Sequence, residues 1–127
     1  MNEPSPHVGG ALMVSFGAVH PGRERLAIET FTELSRFFGE RLSDGDLTSF
    51  QPFFYGSGAV GGTVGFFLLE GHRERLDDLR ADDDFGRLLL RAGAATANVR
   101  VEPLLAGPEA GRLVNLYREV RGELGLL

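Results

Sequence analysis

Three histidines and a small set of polar residues on strand-like segments are the side chains of this sequence that could do chemistry. His20 closes an apolar run and precedes Pro21, a position from which a side chain can overlook the end of a sheet. Imidazole titrates near neutral pH, so His20 could serve as a general base, with Tyr55 as a second catalytic group. The plainer reading is an exposed loop histidine ahead of a helix. His72 follows Glu70 and Gly71 at another strand-to-helix junction and reads as a surface residue, and His7 lies among prolines and glycines near the start. The histidines lack metal-site spacing such as HxxxH, and there is no cysteine, so disulfides and thiolate sites are excluded. No metal or cofactor is expected.

Ser15, Gln51, Tyr55, Asn98, Arg100 and Glu102 fall on alternate positions of three strand-like runs, beside Met13 and Phe53 and, on a fourth run, Phe67 and Leu69. Converging in one cavity, with Phe53 and Phe67 as walls, Ser15, Gln51, Asn98 and Arg100 would suit a planar, partly polar ligand such as a small aromatic molecule. Arg100 would meet its carboxylate or phenolate. The competing reading has Arg100 and Glu102 pairing merely to fix the register of two associated sheets. Three further motifs fail on context. Gly56 to Gly62 joins two strands instead of opening a helix, so it is no phosphate loop. None of Ser15, Ser35, Ser49 and Ser57 sits in a GxSxG frame. Asp82, Asp83 and Asp84 could hold a hard cation, but capping of a helix start is the commoner use.

The elements that must position these residues follow from periodicity. Ala11 to Val19 is an apolar strand ended by Pro21 and Gly22. Ala27, Phe31, Leu34, Phe38 and Leu42 then recur at helical spacing over residues 23–42. Residues 47–55 alternate as a strand, and Pro52, unable to donate to a ladder, assigns it to a sheet edge or a bulge. Residues 63–70 are its hairpin partner. Residues 73–80 form a short helix, and a second begins near Asp82 with Phe85, Leu88, Leu89 and Ala92 inward and Gly93 as its stop. Thr96 to Leu104 is the fourth strand. Gly107-Pro108-Glu109 opens a last helix, 108–124, with Leu113, Leu116, Tyr117, Val120 and Leu124 along one side.

Split by alternation, one set reads Leu12, Val14, Phe16, Phe50, Phe54, Val64, Phe66, Leu68, Val99 and Val101, and is expected to face the helices. The other carries Met13, Ser15, Gln51, Phe53, Tyr55, Phe67, Leu69, Arg100 and Glu102. A face bearing that much apolar surface must be covered, and a second copy of the sheet is the expected cover, giving a homodimer.

The chain has 127 residues, one domain's worth, with residues 1–10 expected as a tail and 11–127 as a single domain. Its 13 basic residues are all arginine, against 18 acidic ones, for a net charge of −5. Those charges are interleaved over the helices, which argues against a nucleic-acid partner. No run is apolar enough to span a membrane, and Met1 to Pro6 has neither the positive charge nor the apolar core of a signal peptide. These features, with the absence of cysteine, fit a cytoplasmic protein.

The order β-α-β-β-α-β with an extra C-terminal helix is ferredoxin-like α+β, with a four-stranded antiparallel sheet. From Ala11 to Leu105 it resembles the dimeric α+β barrel superfamily. Gly45-Asp46-Leu47, the glycine-rich tip before Thr63, and Leu79 to Phe85 (LRADDDF) are similar to YCII-type domains. Those domains carry a histidine in the first helix with an acidic partner; this first helix has none, so that pair does not carry over. What the resemblance implies is a homodimer that binds a small hydrophobic or aromatic molecule in its barrel. Two alternatives stand beside it: a cofactor-independent monooxygenase- or cyclase-like enzyme, and a dimerisation module without a ligand.

Overall fold

A computed structural model describes residues 9–126. His7 and most of the expected tail lie outside the described residues, while Gly9 and Gly10 already belong to the first strand. The elements run β1 (Gly9–Phe16), α1 (Glu24–Ser43), β2 (Ser49–Phe54), β3 (Gly65–His72), α2 (Arg73–Arg80), α3 (Asp83–Ala95), β4 (Arg100–Leu104) and α4 (Pro108–Glu123). The four strands form one antiparallel sheet in the order β2-β3-β1-β4, with α1, α2 and α3 against one face. This is the ferredoxin-like α+β arrangement with an added C-terminal helix.

Local chemistry accounts for most boundaries. β2 is an edge strand, as Pro52 requires. Asp82 caps α3, its Oδ1 accepting from the Phe85 N–H at 2.9 Å. Pro108 sits in the first turn of α4, where its missing N–H costs nothing. Gly93 does not stop α3, which runs two residues further to Ala95. β1 ends at Phe16 because Gly17 is wedged between two carbonyls. A Cβ there would lie 2.6 Å from the Gly62 oxygen and 2.8 Å from that of Ala97. Residues 96–99 do not extend β4: Asn98 takes a left-handed φ of 55°, so the chain turns there before the ladder begins at Arg100.

The core lies between the sheet and the three helices. Phe38, Phe67, Phe85, Leu12 and Leu69 are almost wholly buried there. Phe67 stacks on Phe31 with centroids 5.0 Å apart and meets Phe38 edge-on at 5.1 Å, while Phe85 stacks on Phe37 at 5.8 Å. These contacts correct the face assigned to β3. Val14 is opposite Phe67 and Leu12 opposite Leu69, so Gly65, Phe67 and Leu69 face the helices and Phe66 and Leu68 face away. Phe66-Phe67-Leu68-Leu69 is apolar in either register, so alternation within it cannot choose a face. Glu70 can: an exposed acid belongs on the open side, which puts Phe66 and Leu68 there with it.

Substitution tests this register directly. Phe67→Ala should cost about 3–5 kcal/mol of stability by creating a core cavity, measured by urea unfolding. Phe66→Ala should cost well under half as much; equal costs would contradict the assignment.

Candidate functional site

The open face of the sheet carries most of the polar residues singled out by spacing. Phe53, Phe66, Ser15 and Arg100 are in register across the four strands, and Gln51, Leu68, Met13 and Glu102 lie on the same face two residues further along. Tyr55, just beyond β2, places its ring edge-on to Phe66 at 6.3 Å. Arg100 donates to the Thr63 hydroxyl at 3.4 Å and lies 3.7 Å from the Glu102 carboxylate. Ser15 is fully buried beneath this layer, and its hydroxyl has no partner among the described residues.

Other expected site residues are not brought to this group. Phe67 is on the opposite face, in the core. Asn98 is exposed at the sheet end, its amide donating to the Gly62 carbonyl at 3.2 Å. His20 is exposed after β1; its backbone N–H donates to Ala95, and none of the described hydrogen bonds or ion pairs involves its imidazole. No described contact joins His20 to Tyr55 or Arg100. Groups of three or more His, Asp or Glu side chains able to hold a metal ion do not occur among the described residues. No helix among them is long and apolar enough to cross a membrane.

The best-formed hollow is elsewhere, on the helix side of the sheet. A cleft of about 340 Å³ opens between α1, the last turn of α3 and the ends of β1 and β2. Its floor is aromatic. Phe16 lies within 6.3 Å of Phe31, Phe54 and Phe67, ring to ring. Ala27 and Thr30 on α1 face Ala92 and Ala95 on α3 across it, and these short side chains leave the space open. Val19, Ile28 and Phe54 stand exposed at its mouth.

The cleft's electrostatics are simple. No lining residue carries an ionisable side chain. The threonine hydroxyls are already committed: Thr30 donates to the Leu26 carbonyl at 2.7 Å, Thr32 to Ile28 at 2.9 Å and Thr96 to Ala92 at 3.0 Å. Each thus satisfies its own hydroxyl within its helix. Such a site offers shape and dispersion, and nothing to transfer a proton.

Sequence periodicity assigned Ala27, Phe31 and Ala92 to buried helix faces without asking whether they fill the space. The legible signal was small residues at facing positions, Ala27 and Thr30 against Ala92 and Ala95, opposite four phenylalanines. Compared with protein-family models and with curated proteins, the chain matches none.

Ser15 yields a prediction of its own. An unpaired buried hydroxyl costs about 1–3 kcal/mol in desolvation, so Ser15→Ala should leave stability unchanged or raise it in thermal unfolding. A clear loss would mean that the hydroxyl has a partner in the assembled protein.

Proposed function

We propose that the protein binds a small, neutral, apolar molecule, aromatic in preference, in the cleft between α1 and the sheet. The single observation that carries this reading is the cleft's combination of volume and lining: about 340 Å³ walled by Phe16, Phe31, Phe54 and Phe67, with no ionisable group. An apolar cavity of ~150 Å³ stays dry and takes up benzene; twice that volume suits a fused bicyclic ring. Edge-to-face contacts with the surrounding rings favour an aromatic guest over an aliphatic one of equal size.

The same reading makes the protein a homodimer of the dimeric α+β barrel kind, YCII-like in the acidic run Asp82–Asp84 that opens α3. The support is the open face, where Met13, Phe53, Phe66 and Leu68 form an apolar layer without a covering element among the described residues. The ligand expected in a barrel lumen moves to the helix side in this proposal, because Phe67 belongs to the cleft floor and not to the open face. Monooxygenase- or cyclase-like chemistry would require His20 to act with Tyr55 or Arg100. Without a contact among them, binding is the reading with physical support.

Titration with naphthalene, followed by ¹⁵N-correlated NMR spectra, tests the cleft. Shifts should concentrate at Ala27, Phe31, Thr96 and Val99. Ala27→Phe, which fills the space from a half-buried helix position, should weaken binding at least tenfold with an unchanged circular dichroism spectrum. Shifts centred instead on Phe53, Tyr55 and Phe66 would return the site to the open face. No binding, together with no extra mass on the purified protein in native mass spectrometry, would leave a dimerisation module whose cleft is only packing space.

A further inference from the structure

Helix α4 is exposed on every side. Each residue from Gly111 to Val120 is open to solvent, and none of the helix's side chains is buried. Leu113, Leu116, Tyr117, Val120 and Leu124 nevertheless make one apolar stripe, between 42% and 65% exposed. A helix of 16 residues is marginal in water by itself, and Gly111 and Gly122 weaken it by roughly 1 kcal/mol each relative to alanine. Its stripe therefore requires a surface. None of the described residues covers it, and Glu109 pairs with Arg73 at the start of α2.

The open face of the sheet carries a complementary shape. Its apolar residues run diagonally, from Phe53 on β2 through Phe66 and Leu68 on β3 and Met13 on β1, past the buried Ala11, to Leu104 on β4. From Phe53 to Leu104 is three strand spacings across and four residues along, roughly 20 Å. The stripe from Leu113 to Leu124 is roughly 17 Å long. The two off-diagonal corners are polar: Ser49, Gln51 and Glu70 on one side, Arg100 with Glu102 on the other. The flanks of the stripe are polar as well. Helical spacing puts Arg118 and Arg121 on one flank, which can meet Glu70, and Glu119 and Glu123 together with Arg112 on the other, where the two acids can meet Arg100.

We infer that the occupant of each surface is the other surface in a second copy of this chain, so that α4 is an exchanged arm lying along its partner's diagonal band. This rests on the homodimer reading above and departs from a sheet-on-sheet barrel in one respect: the partner's α4, and not its sheet, covers the band. A two-fold exchange satisfies both exposed surfaces on both copies at once. It buries the stripe and the band twice over, which brings each copy into the range of about 800 Å² typical of a stable dimer. The cleft on the helix side stays free, so ligand binding and assembly use opposite faces of the sheet.

The native chain has no cysteine, so introduced thiols report without interference. Sedimentation velocity should show a dimer, and Val120→Glu should weaken association at least tenfold, whereas Leu90→Glu, at a still more exposed apolar residue on α3, should not. Mixing Leu116→Cys chains with Leu68→Cys chains and oxidising should give the mixed disulfide dimer. A dimer in which Leu116→Cys links only to itself, or Leu68→Cys only to itself, would overturn the exchange while keeping the homodimer. A doubly substituted chain that closes its disulfide within a monomer would show that α4 folds onto its own sheet and overturn it too. A monomeric wild type would remove the homodimer and the exchange together, and leave the cleft to stand or fall by the naphthalene titration.

Discussion

Phe67 sits where β3 passes under α1, its ring stacked on Phe31 and edge-on to Phe38, with Phe16 against a third side. Through Phe38 the same cluster reaches Phe50 on β2 and Phe85 on α3. Each of the three strands β1, β2 and β3 is thereby tied to a helix by a ring. The dispersion gained over so many aromatic contacts is large in sum although small per pair. It also fixes the register: slipping β3 by one residue would bring Phe66 inward, expose Phe67 and leave Glu70 facing the core. The cleft is a consequence of this arrangement. At the Phe16 end, α1 and α3 present alanine and threonine to the cluster, so the rings are packed from below and open above.

The same constraint settles what the open face can be. Once Phe67 and Leu69 are committed to the core, that face keeps Phe66, Leu68, Met13 and Phe53, as apolar as strand alternation suggested but with its β3 residues shifted by one position. Arg100 and Glu102 then lie at one corner of a band, not at the centre of a cavity, and their 3.7 Å approach is a partly exposed ion pair worth little by itself. Ser15 is the polar residue this layer traps. Its neighbours in register are Phe66 and Arg100, which shield the hydroxyl from water without bonding to it.

Much of this was legible beforehand wherever one residue type has one physical solution. Pro52 implied an edge strand or a bulge, and the edge is what is found; the aspartate run implied a cap, and Pro108 implied a helix start, each through a single missing or supplied hydrogen bond. The helical face Ala27-Phe31-Leu34-Phe38 was readable because its period matches no other element. The register of β3 was not readable from Phe66-Phe67-Leu68-Leu69, since both faces look alike there. The end of β1 was hidden for a different reason: the crowding at Gly17 comes from Gly62 and Ala97, remote in sequence. The cleft depends on a volume deficit, and periodicity marks a residue as inward without saying whether it reaches its neighbours.

The two outward-looking features of the molecule are thus unequal in kind. The cleft is already formed in the single chain: its threonine hydroxyls are bonded and its floor is a cluster of packed phenylalanine rings. Helix α4 is unfinished, because an amphipathic helix draws its stability from tertiary packing of its apolar stripe. Folding of the sheet and its three helices can be complete without α4, since the buried cluster lies between the sheet and α1, α2 and α3. In the proposed exchange, ordering of α4 is coupled to association, so the dimer would have to offset the entropy of fixing the arm as well as that of bringing two chains together. On the same proposal, assembly and ligand binding fall under separate physical control, one through the C-terminal stripe and the other through the phenylalanines beneath α1.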